Sequence, residues 1–175
     1  MTHWTDKLQA LSACSDAVEW ACTQPDYETA WRTCQRGDWM LWLAGKLSGP
    51  PESEGRKTLV LAAADCAELA LPFIHDEHVR AVSEATIEVS RAWACDAISI
   101  VLLREARDAA SAYAASAAYA AYAAAATPAC AAYASAYASA YAAFATPAYN
   151  DARTRVLAQC ADLVRVWYPK PPVLP

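Results

Sequence analysis

The chain has 175 residues, 57% of them hydrophobic and 19% charged, with a formal charge of −5. That length supports one domain with a real core. The acidic balance argues against a nucleic-acid footprint, which needs clustered Lys and Arg, and suits a basic partner instead. Only four Gly are present, and no stretch alternates apolar and polar residues in the manner of a strand, so the expected fold is all-α.

Seven cysteines are scattered along the chain. There is no C-x-x-C and no Cys/His cluster of zinc spacing, so neither a metal nor a disulfide framework is expected. Free thiols used as small buried hydrophobes fit a reducing cytosol. The opening Met1 to Lys7 has no apolar core of a secretion signal, which also fits a cytoplasmic protein. No P-loop, glycine fingerprint or G-x-S-x-G occurs, so a binding protein is expected, with no cofactor and no catalytic residues.

In chain order, Leu8, Leu11, Cys14 and Val18 predict one helix capped by Thr5 or Asp6 and running to about Cys22. Pro25 opens the next helix, with Asp26 and Glu28 at its positive end and Tyr27, Ala30, Trp31 and Cys34 along it. Gly37 is expected to end that helix as its C′ residue, and Asp38 to cap the following one. That third helix, Trp39 to Ala44, is apolar all round and is placed at the centre of the N-terminal half. Core packing is the expected role of Trp39 and Trp42, with an aromatic ligand pocket as the alternative.

After the loop Ser48 to Gly55, Ser53 caps a helix whose face is Leu59, Val60, Ala63, Cys66, Ala67 and Ala70. His75 and His78 lack a third ligand and fall short of a metal pair. The helix from about Glu77 to Trp93 turns Val82, Ala85, Val89 and Trp93 inward, and Arg80, Glu84, Glu88 and Arg91 form a solvated face. It breaks around Asp96 to Ser99, and Ser99 is the expected cap of a new helix beginning at Ile100.

From Ala109 to Asn150 there is no charged residue, and Ala fills more than half of the stretch. Ala loses no side-chain entropy on ordering, so this stretch is expected to be helical. It has no Leu, Ile or Val to drive membrane insertion, so no membrane span is expected. Thr127-Pro128 and Thr146-Pro147 each end one helix and start another. Between them, Tyr133, Tyr137 and Tyr141 share one face with Cys130 and Phe144, opposite Ser135 and Ser139. The ladder serves as half-buried packing or as a partner surface, and the Ala/Ser face allows close helix contact or oligomerisation. A last helix, about Tyr149 to Trp167, points Val156, Leu157, Cys160, Leu163, Val164 and Trp167 inward and Arg153, Arg155, Asp162 and Arg165 outward.

These elements make one all-α domain over residues 1–175, a multi-helix bundle. It comprises an N-terminal helical core (1–98), an Ala/Tyr-rich layer (99–148) broken at Pro128 and Pro147, a closing helix (149–168) and an extended tail (169–175). Gly37, Trp39 and Trp42 are its expected structural markers in the N-terminal half.

Several pieces resemble the Imm-5-like immunity proteins, a family of small α-helical bacterial and phage proteins. They are Glu19-Trp20-Ala21, Ala30 to Cys34, Arg36 to Leu43, Arg56 to Ala63 and Cys160 to Arg165, together with the Ala/Tyr-rich middle. Gly-Asp-Trp-Met-Leu-Trp-Leu, residues 37–43, is the most specific of them. The chain departs from its relatives at Ala94 to Ile98, where they tend to carry a charged link. The resemblance implies an all-α protein that neutralises a toxin by binding it, and implies no catalytic residues. The expected contact surfaces are the acidic helix ends Asp26, Glu28 and Asp38 or the tyrosine face Tyr133, Tyr137 and Tyr141. Two other readings stay open. One is a phage-type counter-defence protein that binds a host immune protein or sequesters a small nucleotide signal; the other is a structural helical scaffold.

Overall fold

The computed structural model describes residues 3–50, 52–74, 77–103, 105 and 149–175. The expectations for His75 and Asp76, for Tyr133, Tyr137 and Tyr141, and for the steps at Pro128 and Pro147 lie outside the described residues. Within them the chain is all-α, with no strand. The helices are α1 (Trp4–Ala10), α2 (Ser15–Cys22), α3 (Tyr27–Thr33), α4 (Gly37–Leu47), α5 (Glu54–Glu68), α6 (Glu77–Ala94) and α7 (Tyr149–Trp167), with a 3-10 turn at Leu71–Phe73. Residues 100–103 are again helical.

The single helix expected up to Cys22 is two. His3, rather than Thr5 or Asp6, opens α1: its backbone N–H donates to the Asp6 carboxylate at 2.9 Å, and its ring Nδ1 accepts from the Thr5 N–H at 3.4 Å. The helix stops because Ser12 takes the left-handed conformation, φ +67°. Ser12 N–H then returns to the Gln9 carbonyl at 2.8 Å and Ala13 N–H to the Leu8 carbonyl at 3.0 Å, the paired bonds of a Schellman ending. Asp96, φ +59°, does the same for α6: its own N–H reaches the Trp93 carbonyl at 3.0 Å, and the Ala97 N–H reaches that of Ala92 at 2.8 Å. The break expected there is thus a left-handed cap, tied to α5 by Lys57 Nζ on Asp96 at 2.6 Å. Ser99 caps the helical residues 100–103, accepting from the Leu102 N–H at 3.4 Å.

Two expectations around α3 and α4 are corrected. Pro25 lies ahead of α3, whose cap is Asp26. Gly37 is not a C′ residue but the first residue of α4, and α3 already ends at Thr33. Its lack of a side chain serves packing: a Cβ there would stand 2.6 Å from the Ala161 amide nitrogen on α7. Asp38 follows inside the first turn, and Arg36 holds the cap position with no side-chain cap bond.

The core is built on α4, α5 and α7, which pack against one another, with α6 on the far side of α5. α5 touches all three of the others because its buried positions are small: Ala62, Ala63, Ala64, Cys66 and Ala67 let neighbouring backbones approach. Leu41, Leu59, Cys160 and Val164 fill the centre, each almost wholly buried. Ser53 caps α5 as expected, accepting from the Arg56 N–H at 3.3 Å.

The face α6 buries is rotated from the one expected. Trp93 is buried as expected, and Val82 and Val89 are half-buried, with Val89 packed against the Val60–Trp93 cluster. Ala85 is exposed instead, and Ser83, Thr86, Ile87 and Ser90 take the buried positions. The hydroxyls are carried in by their own helix: Thr86 Oγ1 donates to the Val82 carbonyl at 2.7 Å, and Ser90 Oγ to that of Thr86 at 2.8 Å. Arg91 is not part of a solvated face. It joins Asp65, at 2.6 Å, and Glu68 on α5, while Trp167 Nε1 of α7 donates to the other Asp65 oxygen at 2.7 Å. These bonds hold the Arg91 guanidinium well above the usual arginine range, Glu68 first among the causes.

α7 keeps its expected bounds and inward face, with one exception. Arg165 turns in and donates to the Cys34 carbonyl at 2.8 Å and the Trp31 carbonyl at 3.2 Å. It thereby satisfies the negative end of α3.

Candidate functional site

Four short helices meet at an aromatic cleft. α1 supplies Trp4, α2 supplies Trp20, α3 supplies Tyr27 and Trp31, and α4 supplies Trp39 and Trp42. Five of the seven Trp in the chain therefore line one depression, above a floor that includes Leu8, Ala30, Met40 and Leu43. The cavity volume is about 60 Å³. Trp4 and Tyr27 have centroids 5.5 Å apart at 36°, and Trp20 and Trp39 lie 5.9 Å apart at 50°. Both are tilted pairings that aromatic quadrupoles favour.

Local sequence positions the rings. The left-handed turn at Ser12 folds α2 back onto α1, which brings Trp20 and Trp4 to the same depression. Tyr27 and Trp31 are one helical turn apart on α3, so they share a face. Arg36 fixes the entry to α4: its guanidinium sits 4.1 Å over the Trp39 ring and forks onto Asp38, Nε to Oδ1 at 2.8 Å and Nη2 to Oδ2 at 2.6 Å. That fork holds the Arg36 guanidinium above its ordinary range. Lys46 Nζ lies 5.7 Å from the Trp42 ring.

Tyr27 and Cys34 are the titratable groups in the lining. Burial pushes both up, so both are neutral at neutral pH. The cleft can desolvate, stack and accept a cation over its rings, but among its described lining residues there is no ionised base or nucleophile. Among the described residues, no group of three His, Cys, Asp or Glu side chains could hold a metal. None of the six described cysteines is in a disulfide.

The charge around α1 to α4 is mixed and mildly acidic. Residues 3–47 carry six Asp and Glu against four Lys and Arg; Asp6, Asp16, Glu19, Asp26 and Glu28 are exposed, while Arg36 and Lys46 lie over the Trp39 and Trp42 rings. Asp26 caps α3, accepting from the Thr29 N–H at 2.7 Å and the Thr29 hydroxyl at 3.1 Å. The backbone bond from Thr29 is the main reason its carboxyl titrates below the usual value.

Of the expected contact residues, Asp26 and Glu28 are exposed on either side of Tyr27 in the chain but do not line the cleft, and Trp39 and Trp42 are half-buried in its wall. Asp38 is 5% exposed, its carboxylate taken by Arg36. Gly37 lies under α7. Trp4, Trp20, Tyr27 and Trp31 are not among the expected site residues; the signal for them is the concentration of Trp between residues 4 and 42. Among the described residues, no helix is long and apolar enough to cross a membrane. No protein-family model matches the chain, and no curated protein and no solved structure matches it, so the Imm-5-like resemblance rests on the quoted motifs alone.

Proposed function

We propose that this protein is an immunity or antitoxin-type binding protein that neutralises a toxin by direct contact through the aromatic cleft of α1 to α4. One observation carries the reading: six aromatic rings gathered in one depression, one of them Tyr27, which has exposed Asp26 and Glu28 on either side of it in the chain. Rigid Trp and Tyr side chains supply most of the energy at protein interfaces, and flanking charge of one sign steers a partner of the other. The favoured partner is a basic protein that inserts an apolar or aromatic side chain among the rings. The resemblance of residues 36–43 to Imm-5-like immunity proteins supports the same reading. The nucleotide-sequestering alternative has less support, because among the described residues no Lys or Arg lines the cleft and Arg36 is engaged by Asp38 and Trp39.

The test is growth rescue with co-purification, using the product of the adjacent gene as the candidate toxin. Rescue and a stable complex are expected for the native chain. Trp20→Ala, or Asp26→Asn with Glu28→Gln, which removes both charges but keeps a side-chain cap on α3, should weaken the complex by about tenfold or more without loss of helicity. Full rescue by all of these variants overturns the proposed surface, and toxicity without rescue or complex overturns the immunity reading.

A further inference from the structure

Residues 169–175 read Pro-Lys-Pro-Pro-Val-Leu-Pro. Four prolines fix φ near −65°, and each residue ahead of a proline is driven to extended geometry. Residues 171–175 accordingly form neither helix nor turn. Such a segment has carbonyls to offer but few N–H groups, since proline has none. A receptor for it must bring side-chain donors on a flat apolar platform, as domains that bind proline-rich peptides do.

α3 presents that arrangement. Tyr27 Oη donates to the Pro172 carbonyl at 2.8 Å, and Trp31 Nε1 donates to the Tyr168 carbonyl at 3.0 Å. Donors one helical turn apart thus engage two carbonyls four residues apart, that of Tyr168, whose N–H still bonds back to Val164 of α7 at 2.8 Å, and that of Pro172 beyond the bend at 169–170. Leu174 packs against the main core cluster, and Tyr168 Oη is anchored on the Gly55 carbonyl at 3.2 Å. The same two rings form part of the cleft wall, so segment and cleft are continuous. A third indole donor stands beside them: Trp4, 5.5 Å from Tyr27, has a buried Nε1 with no hydrogen-bond partner among the described residues.

We infer that the α3 face carrying Tyr27 and Trp31 is a receptor for extended proline-rich segments, occupied in this structure by residues 168–175 of the chain itself, and that a proline-rich segment of a partner protein binds there by displacing them. The inference goes beyond the toxin-binding reading and does not depend on it. It assigns a ligand chemistry to a face whose donors are already seen engaging that chemistry. The chain's own segment competes in cis, so the apparent affinity for a second segment is lowered by the fraction of time the face is free.

The test uses the full chain and an acetylated peptide of sequence Pro-Lys-Pro-Pro-Val-Leu-Pro, followed by Trp fluorescence and by the indole N–H resonance of Trp31. Leu174→Ser loosens the resident segment at its apolar anchor, and Pro171→Gly with Pro172→Gly loosens it without touching the core. Both variants should bind the peptide about tenfold more tightly than the native chain. Tyr27→Phe, added to either, should weaken binding about fivefold by removing one donor. A peptide with all four prolines replaced by Ala should not bind. Equal affinity of native and loosened chains, no binding to any of them, or equal binding of the Ala peptide overturns the inference. A concentration-dependent dimer that free peptide fails to dissociate assigns the face to a second copy of the chain and overturns the partner reading.

Discussion

Gly37 lies flat against Cys160, with the backbone of α7 filling the space where a side chain would be. The contact sets how closely α4 and α7 approach. A Cβ would meet the Ala161 nitrogen at 2.6 Å and the Cys160 carbonyl carbon at 2.7 Å, and both are backbone atoms that move only if a helix moves. Gly37→Ala is therefore expected to destabilise the fold by about 3 kcal/mol, at the upper end of overpacking effects, despite the better helix propensity of Ala. Urea denaturation checks this; an unchanged midpoint would show that α7 can shift without loss.

Gly37 also shows where the sequence is opaque. A glycine serves either a positive φ or a close approach, and a single sequence does not separate the two. Local pattern predicts a glycine cap at the α3–α4 junction, whereas packing against a helix more than a hundred residues away decides it. Ser12 hides a break for the opposite reason: a left-handed serine carries no local mark. The burial of Thr86 and Ser90 escapes sequence reading because hydroxyls bonded to their own helix bury like apolar groups but read as polar. Strong, local patterns are the legible ones. α7 has apolar residues at helical spacing and a proline just beyond its end, and its bounds follow. α5 has Ser53 as a cap and a continuous small-residue face. The cleft lies between these cases: the half-buried Trp39 and Trp42 can be named from sequence, but the convergence of rings from four helices is a tertiary fact.

Ser12 offers a stabilising substitution. Its φ of +67° costs a residue with a Cβ about 1 to 2 kcal/mol. Glycine removes that strain and gives back part of the gain through the entropy of the unfolded chain. Ser12→Gly should raise stability by about 0.5 to 1 kcal/mol, whereas Ser12→Val should lower it, since a β-branched residue resists positive φ. Thermal unfolding of the pair checks the sign.

Asp38 separates stability from recognition. Its side chain is 7% exposed and forked to an Arg36 that is 31% exposed. Asp38→Asn leaves that guanidinium half-paired. Discounted for the solvent on the arginine side, the loss is about 2 kcal/mol, which lowers Tm by about 6 °C in a domain of this size. Asp26→Asn with Glu28→Gln should do the reverse: Asn still caps α3 through its side-chain oxygen, so little change in Tm and a weaker complex are expected. If Asp38→Asn weakened the complex with no change in Tm, Asp38 would belong to the contact surface after all.

Alkaline pH tests the Tyr27 and Tyr168 hydroxyls together. Burial pushes Tyr168 up to about 12, with Arg56 nearby acting weakly in the other direction, and burial pushes Tyr27 higher still. In the unfolded chain both titrate near 10. Between these values the folded state holds more protons than the unfolded state, so stability falls as pH rises. The contribution is fully present below pH 10 and is lost as pH passes about 12. Ionisation also ends the donation from Tyr27 to Pro172 and from Tyr168 to Gly55, so the proline-rich segment should loosen over the same range. Lys57, whose ordinary value is raised chiefly by Asp96, adds a parallel loss. The tyrosine part is isolated by Tyr27→Phe with Tyr168→Phe. Urea midpoints measured from pH 8 to pH 12 should fall more steeply in the native chain than in this double variant. Equal slopes would place the alkaline loss in Lys57 and its neighbours.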